Sequence, residues 1–417
     1  MKKKIFKKIF AGFMAVLVAF IGITTVITVI GLNSNIDIAH SFSPVETEKL
    51  RIDDIGNGVW NIYSDREIKV MQLTDIHLGG GWLSAKKDAM ALNAVAAMIA
   101  AEKPDFVIAT GDIAYPVPFQ AGTFNNKSGA KLFAELMETL GVYWTACYGN
   151  HDTEAYSYYG RDDITEFYEQ YPHCLMRKGA EGVDGYGNQV FNIVNSSGVI
   201  TRSLFTIDSH SYVDGDIFGI FWKYDNVHQN QVDWYRETVE ANRKHNQMKN
   251  AASSDSLFSQ KNPTVFNPKS SVFLHIPLTE YKDAWDEYAA NGYADTENVK
   301  LNYGEAGESG PVVYPGINDD SFFETMLELG STDSVFCGHD HLNNFSFNYK
   351  GIDLAYSLSV DYLAYVGIYK LGTQRGCTVM NIAPDGTMEK TIENYYQEKY
   401  VSQYAKEEVT MQELTTE

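Results

Sequence analysis

Five short segments carry side chains able to bind metal: Asp75-Ile-His77, Gly111-Asp112, Gly149-Asn150-His151-Asp152, His275, and Gly338-His339-Asp340-His341. They offer carboxylate oxygens, an amide oxygen and imidazole nitrogens, a mixture that suits Mn, Fe, Zn or Co better than Ca or Cu(I). The set is large enough for two ions sharing one carboxylate. Two metals a few ångströms apart are the usual apparatus for displacement at phosphorus. Singly, the pieces say little: Asp-x-His and His-x-His recur by chance, and Asn-His-Asp can be an ordinary turn. The setting carries the argument. Each segment closes a strand-like apolar run: KVMQLT, DFVIAT, VYWTACY, SVFLH and DSVFC. In open α/β sheets, ligand sites gather outside the carboxyl ends of strands.

In this order, over roughly residues 68 to 345, the segments resemble the calcineurin-like metallophosphoesterase superfamily. Phe273-Leu-His-Ile-Pro277 and the cysteine-preceded Gly-His-Asp-His are similar to the branch related to purple acid phosphatases. The resemblance implies a two-sheet α/β/β/α sandwich and two metal ions, Mn, Fe or Zn. It implies that Asp75, His77 and His341 hold the first ion and that Asn150, His275 and His339 hold the second. It further implies that Asp112 bridges them, and that Asn150 and His151 meet the substrate phosphate, with His151 as general acid. The chemistry agrees. A carboxylate has two oxygens with which to bridge. Asn150 is neutral, so the site keeps a positive field for phosphate. A water between two cations loses a proton near neutral pH and could attack phosphorus in line. The leaving oxygen needs a proton, which His151 can give, its ordinary pKa lying close to working pH. Asp152 either orients and charge-balances His151 or caps a turn. No serine or cysteine motif supplies a nucleophile, so no phosphoenzyme is expected.

Tyr115 follows Asp112 by three residues, giving Gly-Asp-x-x-Tyr. Purple acid phosphatases place an iron-binding tyrosinate at that spacing and lack the histidine of Asp-x-His. This chain has both. Either His77 ligates and Tyr115 lines the pocket, or Tyr115 ligates and His77 is displaced. The complete Asp-x-His favours His77.

The elements that must position these groups read as a βαβαβ start: a strand at 68–74, a helix at 84–102, a strand at 106–112, a helix at 129–140 and a strand at 143–149. That order implies right-handed crossovers and a parallel sheet. Strand-like runs near 189–194 and 203–208 and a helix at about 229–245 follow. Residues 246–270, rich in Asn, Ser and Lys, read as a mobile connection. This long interval and an insertion at 280–318 both follow motif-bearing strands, so both are expected to overhang the site and set specificity. Tyr156, Tyr158, Tyr159, Asp208, His210 and Tyr303 are the candidates there. Runs at 343–349, 352–358, 376–382 and 387–394 look like a second sheet.

Lys2, Lys3, Lys4, Lys7 and Lys8 precede an uncharged apolar run from Ile9 to Leu32. At about 1.5 Å per residue it reaches roughly 36 Å, enough to cross a bilayer. The lysines predict a cytoplasmic N-terminus and an exported body. A cleaved signal peptide, and hence a secreted protein, is the rival. The run is long for that, and Val29-Ile-Gly-Leu-Asn33 is a poor cleavage site. The expected organisation is a basic segment 1–8, an anchor 9–32, a stalk 33–62, a catalytic domain 63–394 and a peripheral tail 395–417. Net charge is −21 over 417 residues, and removing the leading lysines makes the body more acidic still. That argues against nucleic-acid partners. Cys147, Cys174, Cys337 and Cys377 read as small buried residues, though export would permit a disulfide. The function expected is hydrolysis of phosphomonoesters, on a small phosphorylated substrate or a phosphoprotein. A phosphodiesterase or nucleotidase is the alternative, and a non-catalytic metal-containing binding protein the third reading.

Overall fold

The computed structural model describes residues 2–252, 266–365, 367–368 and 373–407. Two β-sheets lie face to face between two helical layers. In the smaller sheet, β3 (Ile68–Leu73), β4 (Phe106–Thr110) and β5 (Tyr143–Cys147) run parallel, joined by α2 (Ala85–Glu102) and α3 (Asn126–Leu140). These strands are buried on both faces, which is why they read as unbroken apolar runs rather than alternating ones. β13 (Gly376–Ile382) and β14 (Met388–Tyr395) complete it antiparallel, in the order β14-β13-β3-β4-β5.

The larger sheet has nine strands. It holds β1 (Arg51–Gly56), β2 (Val59–Tyr63), β6 (Gln189–Val194), β7 (Ile200–Thr206), β8 (Lys269–Phe273), β9 (Val299–Tyr303), β10 (Thr332–Cys337), β11 (Ser346–Tyr349) and β12 (Ile352–Tyr356). Its order is β1-β2-β6-β7-β8-β10-β12-β11-β9. Ile68, Val70, Phe106 and Ile108 of the small sheet pack on Phe191, Leu204, Phe273 and Phe336 of the large one. α4 (Arg161–Tyr168) packs on the same core as α3, and outside the large sheet lie α5 (Gln229–Ala252), α6 (Thr279–Ala290) and α7 (Phe322–Leu329), packed through residues such as Tyr235, Tyr281 and Phe322. This is the α/β/β/α sandwich that the resemblance implies.

Several boundaries differ from those read in the sequence. Residues 33–62 are not an irregular stalk. α1 (Lys2–His40) continues through the polar stretch, and Ala39 and Phe42 enter the core beneath α2 and α3. Asn35 donates to the Ala85 carbonyl at 2.9 Å. β1 and β2 then edge the large sheet. The four late runs do not form one sheet: β11 and β12 join the larger, β13 and β14 the smaller. The tail is not wholly peripheral, since Tyr396 and Tyr400 are buried against α2. The connection expected over 246–270 begins as α5 to Ala252, and its residues 253–265 lie outside the described ones. The four cysteines are free and buried. α1 is long and apolar enough to cross a membrane.

Candidate metal centre

The seven metal-binding candidates meet where the two sheets present their carboxyl ends. Asp75 and His77 follow β3, Asp112 follows β4, Asn150 follows β5, His275 follows β8, and His339 and His341 follow β10. The turns are tight. Asp75, His77, Asp112 and His339 all take positive φ, between 50° and 76°. Non-glycine residues held there cost roughly 1–3 kcal/mol each, and such strain collects at functional sites. The motif glycines are required by space. A Cβ on Gly149 would lie 2.1 Å from Asp112 Oδ1, and one on Gly338 would lie 1.9 Å from Thr74 Oγ1.

Two donor sets emerge. In the first, His341 Nε2 lies 3.3 Å from Asp75 Oδ1, and His77 Nε2 lies 3.2 Å from Asp112 Oδ2. Ligand atoms of Asp75, His77, Asp112 and His341 all fall within 4.8 Å of one another. In the second, Asn150 Oδ1 lies 3.1 Å from His275 Nε2 and 3.0 Å from His339 Nδ1. Asp112 Oδ2 also lies 3.3 Å from His275 Nε2. That one oxygen faces both sets, while Asp112 Oδ1 accepts the backbone N–H of His151 at 2.8 Å. The carboxylate therefore spans the sets through a single oxygen, not through one oxygen each.

The surroundings decide which ring atoms carry hydrogen. His275 donates Nδ1–H to the Thr110 carbonyl at 2.8 Å. His77 and His341 both turn Nδ1 to Asp361, at 3.2 and 3.3 Å. In each ring Nε2 is the nitrogen that faces the centre, and it would be the ligand atom once its proton gave way to a metal. Tyr212 accepts from Asn150 Nδ2 at 3.0 Å, which aims the amide oxygen inward. Asp75 Oδ2 is occupied by Thr74 Oγ1 and the His339 amide, leaving Oδ1 for the centre.

Charge balance points the same way. Burial disfavours a charged His77 or His275, yet Asp361 lifts the former and Asp112 the latter, each to about 9. Burial likewise pushes Asp112 up, but His275 and His151 hold it well below the usual carboxylate range. The carboxylates thus pull protons onto the rings, a demand that cations meet better. The donor types, the inward ring nitrogens and this excess of negative charge fit a buried dinuclear metal centre.

His151 stands at the mouth, its Nδ1 2.7 Å from Glu154 Oε1. With Nδ1–H donated to Glu154, Nε2 remains for a ligand. Asp152 does not orient His151. It accepts three backbone N–H groups, from Asp112, Ala114 and Gly149, each at 2.8 Å. Nor does Tyr115 aim its oxygen at the donor sets. Its ring lies edge-on to His77 at 4.7 Å, its hydroxyl donates to Gln120 Oε1 at 2.7 Å, and burial pushes that hydroxyl's pKa up.

A cavity of about 640 Å³ opens over the centre, lined by Tyr156, Tyr212, Trp222, Tyr224, Tyr314 and Tyr365 among others. Among the described residues lining it, none is Lys or Arg. Of the other overhang candidates, Tyr158 is exposed against Phe124, Tyr159 packs beneath Lys127, and Asp208 pairs with Arg161. His210 meets Gln231, and Tyr303 packs at the inter-sheet core. The sequence reading missed Asp361 and Glu154. Glu154 could have been found from its place three residues after His151. Asp361 belongs to no motif.

A family model described as calcineurin-like phosphoesterase matches residues 68–343. Probable inactive purple acid phosphatase 14 of Arabidopsis thaliana is 28% identical over 337 residues, covering 75% of this chain and 75% of that protein. Probable inactive purple acid phosphatase 29 of the same plant is 26% identical over 317 residues, covering 72% and 73%. A solved dimetal phosphatase from Danio rerio aligns over 80% of this chain and 98% of its own, at 9% identity and a TM-score of 0.44.

Proposed function

The chain belongs to the calcineurin-like phosphoesterase family, and from that premise we propose that it is a membrane-anchored phosphatase hydrolysing phosphomonoesters outside the cytoplasm. The observation that carries this reading is one oxygen, Asp112 Oδ2, facing two complete donor sets with His151 beside them. Asp75, His77 and His341 would hold one ion, and Asn150, His275 and His339 the other. When bound, two such ions supply Lewis acidity and a nucleophilic water at neutral pH. The chain's own part is to hold and protonate. Glu154 keeps the His151 ring turned so that Nε2 can give its proton to the leaving oxygen. With no Lys or Arg in the described lining, the phosphate charge falls to the ions, and the aromatic walls are left for the leaving group. The plant relatives are named inactive. In this chain a full ligand set and an oriented acid support turnover.

Lys2, Lys3, Lys4, Lys7 and Lys8 support a cytoplasmic N-terminus. Retention of α1 is supported by the burial of Asn35, Ala39 and Phe42 in the domain. The substrate would be a small phosphorylated molecule or a phosphoprotein, and the acidic body disfavours nucleic acid. The test uses the full chain in nanodiscs, loaded with manganese, on a chromogenic phosphate monoester and its bis-ester. The monoester should be preferred. His151→Asn should lower kcat by about 10²–10⁴ with metal content unchanged. Preference for the diester would replace this reading by a phosphodiesterase. No turnover with both sites filled would replace it by a binding protein.

A further inference from the structure

Outside α1, the most conspicuous exposed apolar groups stand at the mouth of the cavity. Ile217, Phe218, Ile220, Phe221 and Trp222 form one loop, each at least 58% exposed, and Phe218 and Trp222 line the opening. Phe119 is 92% exposed, between Val117 and Gln120, which also line the cavity. A water-facing loop gains nothing from such a composition, and contiguous exposed apolar groups mark an interaction surface.

The place of α1 says what covers it. Phe20, midway along the apolar run, sets its ring edge-on to Trp82 at 6.0 Å. Trp82 in turn covers Gly122, where a Cβ would lie 2.6 Å from the indole. Two residues earlier, Gln120 lines the cavity and holds the Tyr115 hydroxyl. The apolar helix and the catalytic mouth are thus joined by a short path of packed residues. Length adds a second argument. Ile9 to Ala19 are all exposed, and contact with the domain begins at Phe20. Those eleven residues span roughly 16 Å, against about 30 Å of hydrocarbon. The shortfall is met if the surface around Trp82 lies within the boundary of the bilayer, which brings the neighbouring rim to the level of the headgroups.

We propose that this rim seats in the membrane that holds α1, and that the site acts on phosphomonoesters carried by membrane lipids. The inference rests on the anchored-phosphatase reading above. The lipid chain would stay in the bilayer while its phosphate enters the aromatic cavity. The P–O bond to the lipid breaks, a water's hydroxyl joins phosphorus, and His151 gives the lipid oxygen its proton, which the proton released by that water replaces. With a net charge of −21, the body gains nothing from anionic headgroups, so seating is apolar and insensitive to salt.

The test again uses the manganese-loaded full chain in nanodiscs. Lipids brominated near the carbonyl should quench Trp222, read as the difference between wild type and Trp222→Phe. An unquenched Trp222 overturns the seating. Activity is compared on phosphatidic acid in the disc and on a soluble chromogenic monoester. A variant carrying Phe119→Ser, Ile220→Ser and Phe221→Ser should lose about tenfold or more in kcat/KM on the lipid. On the soluble ester it should stay within about twofold, since these side chains reach only the rim. Equal losses on both substrates, or wild type that cleaves the soluble ester but not the lipid, overturn the proposal. If wild type cleaves neither, the hydrolase reading has failed and the quenching alone decides the seating.

Discussion

Asp361 carries more of the site than its distance from any motif announces. Its two carboxylate oxygens take the Nδ1 atoms of His77 and His341, and its backbone-facing bonds to Leu363, Ala364 and Tyr365 fix it in place. Groups of this kind typically govern metal affinity by 10–100-fold. Asp361→Asn should weaken one of the two ions by about that factor while leaving the other near normal. Metal titration followed by mass spectrometry would read this, and equal loss of both ions would refute the assignment. At this scale the sequence was informative about the groups facing the centre. Asp75, His77, Asp112, Asn150, His275, His339 and His341 all converge, because ligand type and strand-end position are local properties. Asp361 and Glu154 were not read, since what they do depends on which histidine nitrogen the fold turns toward them. Asp152 was left between two roles for the same reason: adjacency to His151 in sequence says nothing about where its carboxylate points, and the structure gives it to the backbone of the turns.

Among the elements, α6 carries a group with a measurable cost. Glu280, in its first turn, is pushed up to about 8 by burial, with Asp320, Glu324 and Asp283 adding to the shift. A carboxyl whose folded pKa exceeds its unfolded one gives stability that is complete below about 4.3 and is lost as pH rises toward the folded value. Stability should therefore decline between pH 5 and pH 8 through this group. Glu280→Gln should flatten that decline, gaining on the order of 2–4 kcal/mol at pH 8. Denaturant midpoints at the two pH values would measure it, and an unchanged slope would exclude Glu280 as its source. The parallel β3–β4–β5 start was legible because both faces are buried and the runs are continuously apolar. The sheet membership of β11 and β12 was not. Their alternation fits either sheet, and only pairing with β10 decides.

For the molecule as a whole, the N-terminal helix is a structural member of the domain. Ile36, Ala39 and Phe42 recur at intervals of three and close the layer over α2 and α3. Truncation before Ser43 should lower stability by roughly 2–5 kcal/mol, whereas truncation before Asn33 should cost far less. Melting of the two truncated chains in detergent would show the difference, and equal melting temperatures would mean that the contact contributes nothing. The apolar run announced, from composition alone, a helix long and apolar enough to cross a membrane. Its docking was hidden in a short polar stretch where three apolar positions are too few to stand out.

Asp112 offers one oxygen to the donor sets and the other to the backbone of His151. The acid is thereby surveyed from the same peg as the ions. An ion lost from either set would change the pull on the one carboxylate that also holds the His151 backbone. Partly loaded molecules would then contribute little, so activity should climb with a power of metal concentration above one, a threshold written into a single side chain.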